Sequence, residues 1–330
     1  MTQESIQAAL YRTRGAARAV LQVQALPLPT PAPGEVRVRV AFSGVNPSDV
    51  KSRASISAPM PAPFVVPHSD GAGSVDAVGA GVDPARVGES VWLYNAQWDR
   101  AWGSAAQAVC LPQGQAVALP AGVSLDVGAS VGIPLMTAFH AVESCGALLG
   151  RTVVVTGAAG SVGLYVTQLA TLAGARVIAV VSSAEKAAVA CAAGADVSIN
   201  YSSEAVGARV RELTGGQGAD ALIEVDAAGN ARHWGEALAQ GGRVVVYGSN
   251  QPEMPLPFRP LIMGFLDVYF FIVYRLPPVA LQRTLAAVNA LLARDALTHP
   301  ETATYTLDDI AAAHERVERG ANAKVLIAMS

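Results

Sequence analysis

The stretch VTGAAGSVGLYVTQLATLAGARVIAVVSS, residues 155–183, decides the fold. A β-branched segment runs into a glycine-spaced turn. A segment with Val162, Val166, Leu169 and Ala173 at helical spacing follows, and then a second β-branched run. Strand, turn, helix and strand succeed one another as in a βαβ unit. Within the turn, Gly160 and Gly163 hold the second and third places of the G-x-G-x-x-G fingerprint, while Ala158, preceded by Gly157, holds the first. A glycine at 160 lets the backbone approach a pyrophosphate, and one at 163 lets the helix lie close to the strand. The segment Gly160, Ser161, Val162 and Gly163 opens the helix with amide donors for phosphate oxygens. Alone the pattern says little; with both flanking strands and the helix in place it predicts a dinucleotide site.

Outward from this unit, apolar strands keep alternating with helices through DVSINY, ADALIEVD and GGRVVVYG. Strands without polar alternation, separated by helices, describe a doubly wound parallel sheet covered on both faces. In a site for the unphosphorylated coenzyme, an acid at the end of the second strand binds the ribose 2′-hydroxyl. Here that strand ends Val180, Val181, Ser182, Ser183, with Lys186 soon after and Tyr201 ending the next strand. A carboxylate repels a 2′-phosphate, whereas hydroxyls, an ammonium and a helix N-terminus attract one. NADPH is therefore the expected cofactor. A plainer reading stays open, in which Ser182 and Glu185 form a capping box and Lys186 is a solvated helix lysine.

Before residue 125 the pattern is different. GEVRVRVAFSGV, residues 34–45, alternates Val36, Val38 and Val40 with Arg37 and Arg39, as a strand with one wet face does. Further short strands joined by glycine turns give an antiparallel, barrel-like lobe. Near the other end, Thr306 and Asp309 read as a capping box ahead of a helix with Ile310, Ala313 and Val317 on one stripe. The hydrophobic run LIMGFLDVYFFIVY, residues 261–274, is interrupted by Asp267 and is shorter than the ~20 residues that span a bilayer. It reads as a buried or subunit-facing strand that pairs with its own copy in a homodimer.

A chain 52% hydrophobic and 15% charged suits a folded protein of two lobes. A net charge of −3 without a long basic block gives no attraction to nucleic acid. Three scattered cysteines and five scattered histidines offer neither a disulfide framework nor a metal-binding spacing, so no metal and a cytoplasmic location are expected. Gly128-x-Ser130-x-Gly132 matches the hydrolase nucleophile elbow, yet the strand-to-helix setting of that motif is missing.

The residues GVNPSDVKSR, HSDGAGSVDAVGAGV, GIPLMTAFHAV, AAGADVSINY and GQGADALIEVDAAG, together with the glycine turn and GGRVVVYGS, resemble the zinc-free, ζ-crystallin-like quinone oxidoreductases of the medium-chain dehydrogenase/reductase superfamily. The resemblance covers nearly the whole chain. It implies a GroES-like catalytic domain over residues 1–125, a Rossmann NADPH-binding domain over 126–265, and a dimer strand with a return to the catalytic domain over 266–330. The active site is expected in the cleft between the lobes. Asn46 and Ser69 stand where zinc-dependent relatives place a cysteine and a histidine ligand. The resemblance assigns Asn46 and Thr137 to the nicotinamide side, Gly160 to Gly163 to the pyrophosphate, and Ser182, Lys186 and Tyr201 to the 2′-phosphate. Gly248, Ser249 and Lys324 complete the expected coenzyme contacts. Asn46, Lys51 and Tyr94 are the residues expected to meet the acceptor; Lys51 departs from the tyrosine that several quinone reductases carry there. The aromatics Tyr94, Trp98 and Trp102 are expected to wall the pocket, or to pack as ordinary core. The implied reaction is hydride transfer to a quinone or similar conjugated carbonyl, a small electrophilic acceptor. Reduction of an enal, enone or enoyl thioester is the alternative, and a non-enzymatic NADPH-binding or RNA-binding role a further one.

Overall fold

The computed structural model describes residues 4–55, 59–320 and 323–329, and the chain divides into two units, residues 1–133 with 289–330, and residues 134–288. The first unit begins with β1 (Ser5–Leu10), α1 (Ala17–Val20), β2 (Gln22–Pro27), β3 (Glu35–Val45) and α2 (Pro47–Ala54). It goes on through β4 (Asp70–Val78), β5 (Ser90–Leu93), β6 (Ala108–Pro112) and β7 (Ala116–Ala118). The alternation in β3 does what its pattern predicts. Val36, Val38 and Val40 are buried, while Arg37 and Arg39 hold Asp76 on the other face at 2.8 and 2.7 Å. After β7 comes α3 (Leu125–Ser144). Ser130 lies inside this helix with its hydroxyl on the Asp126 carbonyl at 2.8 Å, so the G-x-S-x-G pattern builds no nucleophile elbow.

The second unit alternates strand and helix: β8 (Thr152–Thr156), α4 (Ser161–Leu172), β9 (Arg176–Val181), α5 (Ala184–Ala192), β10 (Val197–Asn200) and α6 (Val206–Leu213). It continues with β11 (Ala219–Glu224), α7 (Ala227–Ala237), β12 (Leu238–Val246), α8 (Phe258–Met263) and β13 (Asp267–Phe270). All six strands are parallel, in the order β10-β9-β8-β11-β12-β13. The winding reverses between β8 and β11, the switch point at which open α/β sheets bind ligands. Val153, Val154 and Val155 are wholly buried, as the lack of polar alternation requires.

The hydrophobic run over residues 261–274, expected as one buried or subunit-facing strand, is corrected in its continuity, because only part of it is strand. Its first residues finish α8, Gly264 and a left-handed Phe265 (φ 49°) break the chain, and only Asp267–Phe270 forms a strand, at the sheet edge with Phe270 exposed.

The chain closes with α9 (Pro278–Ala293), β14 (Thr302–Thr306), α10 (Ile310–Glu318) and β15 (Lys324–Ala328). β15 pairs antiparallel with β3 and parallel with β14, giving a seven-stranded sheet ordered β14-β15-β3-β4-β5-β7, with β6 also on β3. Ile310 and Ala313 of α10 are buried in the core of this unit, and Val317 packs against it, as the stripe predicts.

Candidate active site and coenzyme site

In the parallel-sheet unit, the turn after β8 has the geometry of a phosphate cradle. Gly157 adopts the left-handed φ of 62° that the turn needs, so the residue before Ala158 does the work of the first fingerprint glycine. A Cβ on Gly163 would lie 2.2 Å from the Gly157 carbonyl oxygen, so any side chain there would push the helix off the turn. Gly160 differs. Its φ is −77°, and a Cβ built there would have the Gly157 oxygen, at 3.3 Å, as its neighbour. Folding hardly demands a glycine at 160; a ligand pressed against the backbone does. No side chain caps the first amides of α4, which leaves donors at that end of the helix. These features fit a dinucleotide.

At the end of β9 the helix cap is Ser183, whose hydroxyl accepts the Lys186 amide at 3.3 Å. The capping box drawn on Ser182 is therefore corrected by one residue, since α5 begins at Ala184. Ser182 is left to accept a bond from Lys186 Nζ at 3.1 Å, and the Ser202 hydroxyl donates to the Ser182 carbonyl at 3.3 Å. Tyr201 follows β10 and is 57% exposed. A cavity of about 480 Å³ opens along this edge, with Gly157, Val180, Tyr201, Glu224, Asp226 and Trp234 among its walls. Behind it the buried Glu224 ties the strand ends together. It accepts Thr156 Oγ1 at 2.7 Å, the Asp226 amide at 2.7 Å, Asn230 Nδ2 at 2.9 Å and Trp234 Nε1 at 3.2 Å. Beyond β12, a Cβ on Gly248 would meet the Val225 carbonyl at 2.5 Å, and Ser249 donates to the Gln251 carbonyl at 2.8 Å. Thr137 is buried in α3. Gly160, Ser161, Val162, Gly163, Ser182, Lys186, Tyr201, Gly248 and Ser249 thus gather at the carboxyl ends of the parallel strands.

In the other unit, strand pairing assembles a second group. Gly44 stands opposite Asp70, Gly71 opposite Leu93, and Val325 opposite Val45. Asn46, Ser69, Asp70, Tyr94 and Lys324 therefore fall at one end of the antiparallel sheet. Asn46 precedes α2 and gives its backbone N–H to Asp49 at 2.8 Å. Its side-chain Nδ2 donates to Asp70 Oδ2 at 2.7 Å, and its Oδ1 accepts Lys324 Nζ at 2.7 Å. Lys324, expected to touch coenzyme, is buried with its ammonium 3.1 Å from Asp70. Burial, and then the neighbouring Asp70 charge, push the Asp49 carboxyl up to about 7, against backbone donors and Lys324. Tyr94 is buried and its phenol held above the usual range by desolvation, whereas Lys51 lies on the exposed face of α2. Trp102 packs edge-on to Phe64 at 5.9 Å, as core.

A directed row of hydrogen bonds runs behind this group. Ser104 donates to the Asp70 carbonyl, so its oxygen must accept from Ser43 at 2.7 Å. Ser43, its one proton used, accepts from His68 Nδ1 at 2.8 Å. Desolvation, then His314 and Lys324, hold His68 well below its usual pKa, so its Nε2 is bare and accepts His314 Nε2–H at 2.9 Å. His314 Nδ1 is then a bare acceptor, consistent with its lack of any hydrogen-bond partner. Desolvation, with Arg53 nearby, brings His314 down to about 3.

The sequence reading missed Asp70, Glu224, Ser202 and the histidine pair. Asp70 meets Asn46 across 24 positions and Lys324 across 254, and His68 meets His314 across 246, so no local spacing announces them.

A doubly wound sheet with an uncapped glycine turn, joined in one chain to an antiparallel unit with a buried polar group, defines an NAD(P)-dependent oxidoreductase of the medium-chain dehydrogenase/reductase class. Residues 161–293 match the family described as zinc-binding dehydrogenase, and residues 32–121 the alcohol dehydrogenase GroES-like domain. A quinone oxidoreductase of Lama guanicoe is 27% identical over 287 residues, 86% of each chain. Among solved structures, an NAD-dependent alcohol dehydrogenase is 30% identical with TM-score 0.89, over 98% of this chain and 100% of that one. A mycobacterial protein solved in complex with NADPH is 29% identical with TM-score 0.88, over 98% and 99% of the two chains. The chain belongs to the quinone-oxidoreductase-like branch of the medium-chain dehydrogenase/reductase family, and it is an oxidoreductase.

Proposed function

We propose that this enzyme reduces quinones, or similar conjugated carbonyl acceptors, with NADPH and without zinc. The observation that carries the choice of coenzyme is the end of β9, where an ammonium bonds a serine hydroxyl at 3.1 Å and no carboxylate ends the strand. Ser182, Lys186 and Tyr201 hold the 2′-phosphate, the amides of 160–163 the pyrophosphate, and Gly248, Ser249 and Thr137 the nicotinamide end. Bound there, the reduced nicotinamide supplies hydride.

The donor set argues against zinc. The family resemblance puts Asn46 and Ser69 in ligand places, but an amide and a hydroxyl are poor zinc ligands, and both ends of the Asn46 amide are already bonded. Among the described residues, no three His, Cys, Asp or Glu side chains are grouped to hold a metal. The acceptor is then oriented and its developing oxyanion stabilised by hydrogen-bond donors, with Asn46 as the central one and Tyr94 and Lys51 as further candidates. The quinone oxidoreductase relatives support a quinone as acceptor. A soluble homodimer in the cytoplasm, joined along β13, is part of the same proposal; the exposed Phe258, Phe265 and Phe270 near that edge support it, and light scattering tests it.

The deciding assay compares NADPH and NADH oxidation by 9,10-phenanthrenequinone, 1,4-benzoquinone, 2-alkenals and crotonyl-CoA. Quinone turnover with NADPH preferred is expected. Fast enal or thioester reduction with no quinone turnover overturns the acceptor assignment, and preference for NADH overturns the coenzyme assignment.

A further inference from the structure

We propose that Asp70 and Lys324 are positioning residues: an ion pair built into the sheet to fix which way the Asn46 carboxamide faces. The proposal rests on the reading that Asn46 meets the acceptor.

The three side chains form a closed triangle, with Lys324 Nζ to Asp70 Oδ2 at 3.1 Å, Lys324 Nζ to Asn46 Oδ1 at 2.7 Å, and Asn46 Nδ2 to Asp70 Oδ2 at 2.7 Å. Asn46, Asp70 and Lys324 are 2%, 0% and 1% exposed, so water does not weaken these contacts. A carboxamide is nearly symmetric in shape, and sterics alone seldom choose between its two orientations. Charge chooses here. The ammonium holds the oxygen end and the carboxylate the nitrogen end, and a flip would set N–H donors against the ammonium and an oxygen against the carboxylate. The bond to Asp70 uses one of the two Nδ2 hydrogens, so the locked amide has a second one to offer a ligand.

The surrounding chain makes room for the pair. Asp70 Oδ1 accepts the Ile133 amide at 2.7 Å, and a Cβ on Gly132 would lie 2.3 Å from that oxygen. A Cβ on Gly44 would stand 3.0 Å from Asp70 Cβ and 3.2 Å from Lys324 Cε, besides striking the Ala129 carbonyl. On its other side Asn46 is fixed by Asp49, which takes its backbone N–H. A buried ion pair contributes little net stability compared with a well-packed apolar pair. Stability alone therefore gives little reason to build this one; orienting Asn46 does.

The test compares wild type with Lys324→Met, Asp70→Asn and the double variant. Each single variant leaves a buried group without its partner and is expected to lose stability. The double variant removes both charges and should regain much of it. NADPH affinity in the double variant is expected within about twofold of wild type, with kcat lower by about tenfold or more and KM little changed. An activity-independent reading comes from selective 15N-asparagine labelling, with the Asn46 side-chain signals assigned by their loss in Asn46→Ala. Wild type should show one dispersed, exchange-protected pair of N–H signals, and the double variant an averaged, unprotected pair. Wild-type kcat together with unchanged Asn46 signals in the folded double variant overturns the proposal. Absence of quinone turnover in wild type overturns the functional reading instead, and the amide spectrum still decides the orientation.

Discussion

The two units arrange their polar groups by opposite means. At the carboxyl ends of the parallel strands, the groups assigned to coenzyme are loosely engaged: an uncapped helix start, a half-buried Lys186 and a largely exposed Tyr201. At the end of the antiparallel sheet, Asn46, Asp70 and Lys324 are buried and bonded to one another. The first region offers donors that a ligand completes; the second is satisfied beforehand and presents one oriented group. A backbone site of the first kind should keep its fold through side-chain changes that spare its turn, and a buried triangle of the second kind should not.

The sharpest break is at the turn itself. Gly163→Ala is expected to cost about 1–3 kcal/mol from overpacking and to abolish NADPH binding, because the new Cβ meets the Gly157 carbonyl at 2.2 Å. Gly160→Ala should fold within about 1 kcal/mol of wild type yet still lose coenzyme affinity. Thermal melts beside NADPH titrations check both, and equal folding defects in the two variants would break the contrast. Next in size, Ser182→Asp should weaken NADPH by about 10- to 100-fold, the worth of a charge-assisted bond turned into repulsion, while NADH changes little. Calorimetry with both coenzymes reads this directly.

A smaller effect is the pH dependence of the antiparallel unit. His68 and His314 are held neutral in the folded state below their unfolded pKa of about 6.5. Their contribution is present above pH 6.5 and is lost as the pH falls toward 3, since only the unfolded chain gains those protons. Asp49 runs the other way. Raised to about 7, it stabilises below its unfolded value and loses that contribution as the pH rises through 7. His299 of the same unit and His140 of the other are also held low by burial, so these groups outnumber Asp49 and leave a net loss of stability on acidification from pH 6.5 to about 4.5, visible as a falling Tm. In His314→Gln the slope should lessen, because one of the groups that only the unfolded chain protonates is gone; an unchanged slope would remove His314 from the account. The smallest effect is Ser130→Ala, expected to cost under about 1 kcal/mol and to leave turnover unchanged, since that hydroxyl bonds within its own helix.

How much of this was readable beforehand follows the same division. The glycine turn, the end of β9 and the parallel sheet lie within one or two local repeats, so spacing alone reveals them. Two details were displaced by short-range effects: the cap moved from Ser182 to Ser183, and Gly264 with Phe265 split the apolar run near β13. Asn46 and Lys324 came from family likeness, and Tyr94 from the aromatic run around it. Their mutual geometry could not, because it is made by β15 returning to β3 and by Asp70, a residue whose meaning depends on chain far away. The Gly132 of the misleading G-x-S-x-G pattern belongs there too, giving room to a carboxylate rather than bending a chain for a nucleophile.

The row from Asp70 through Ser104, Ser43 and His68 to His314 has a single sense of donation, set at one end by a carbonyl that can only accept. It works as a bolt thrown between β3, β4 and α10: no hydroxyl in it can turn over unless every neighbour turns with it. An alanine in place of Ser43, which removes the hydroxyl, would cut the bolt in the middle and free each half to rotate alone.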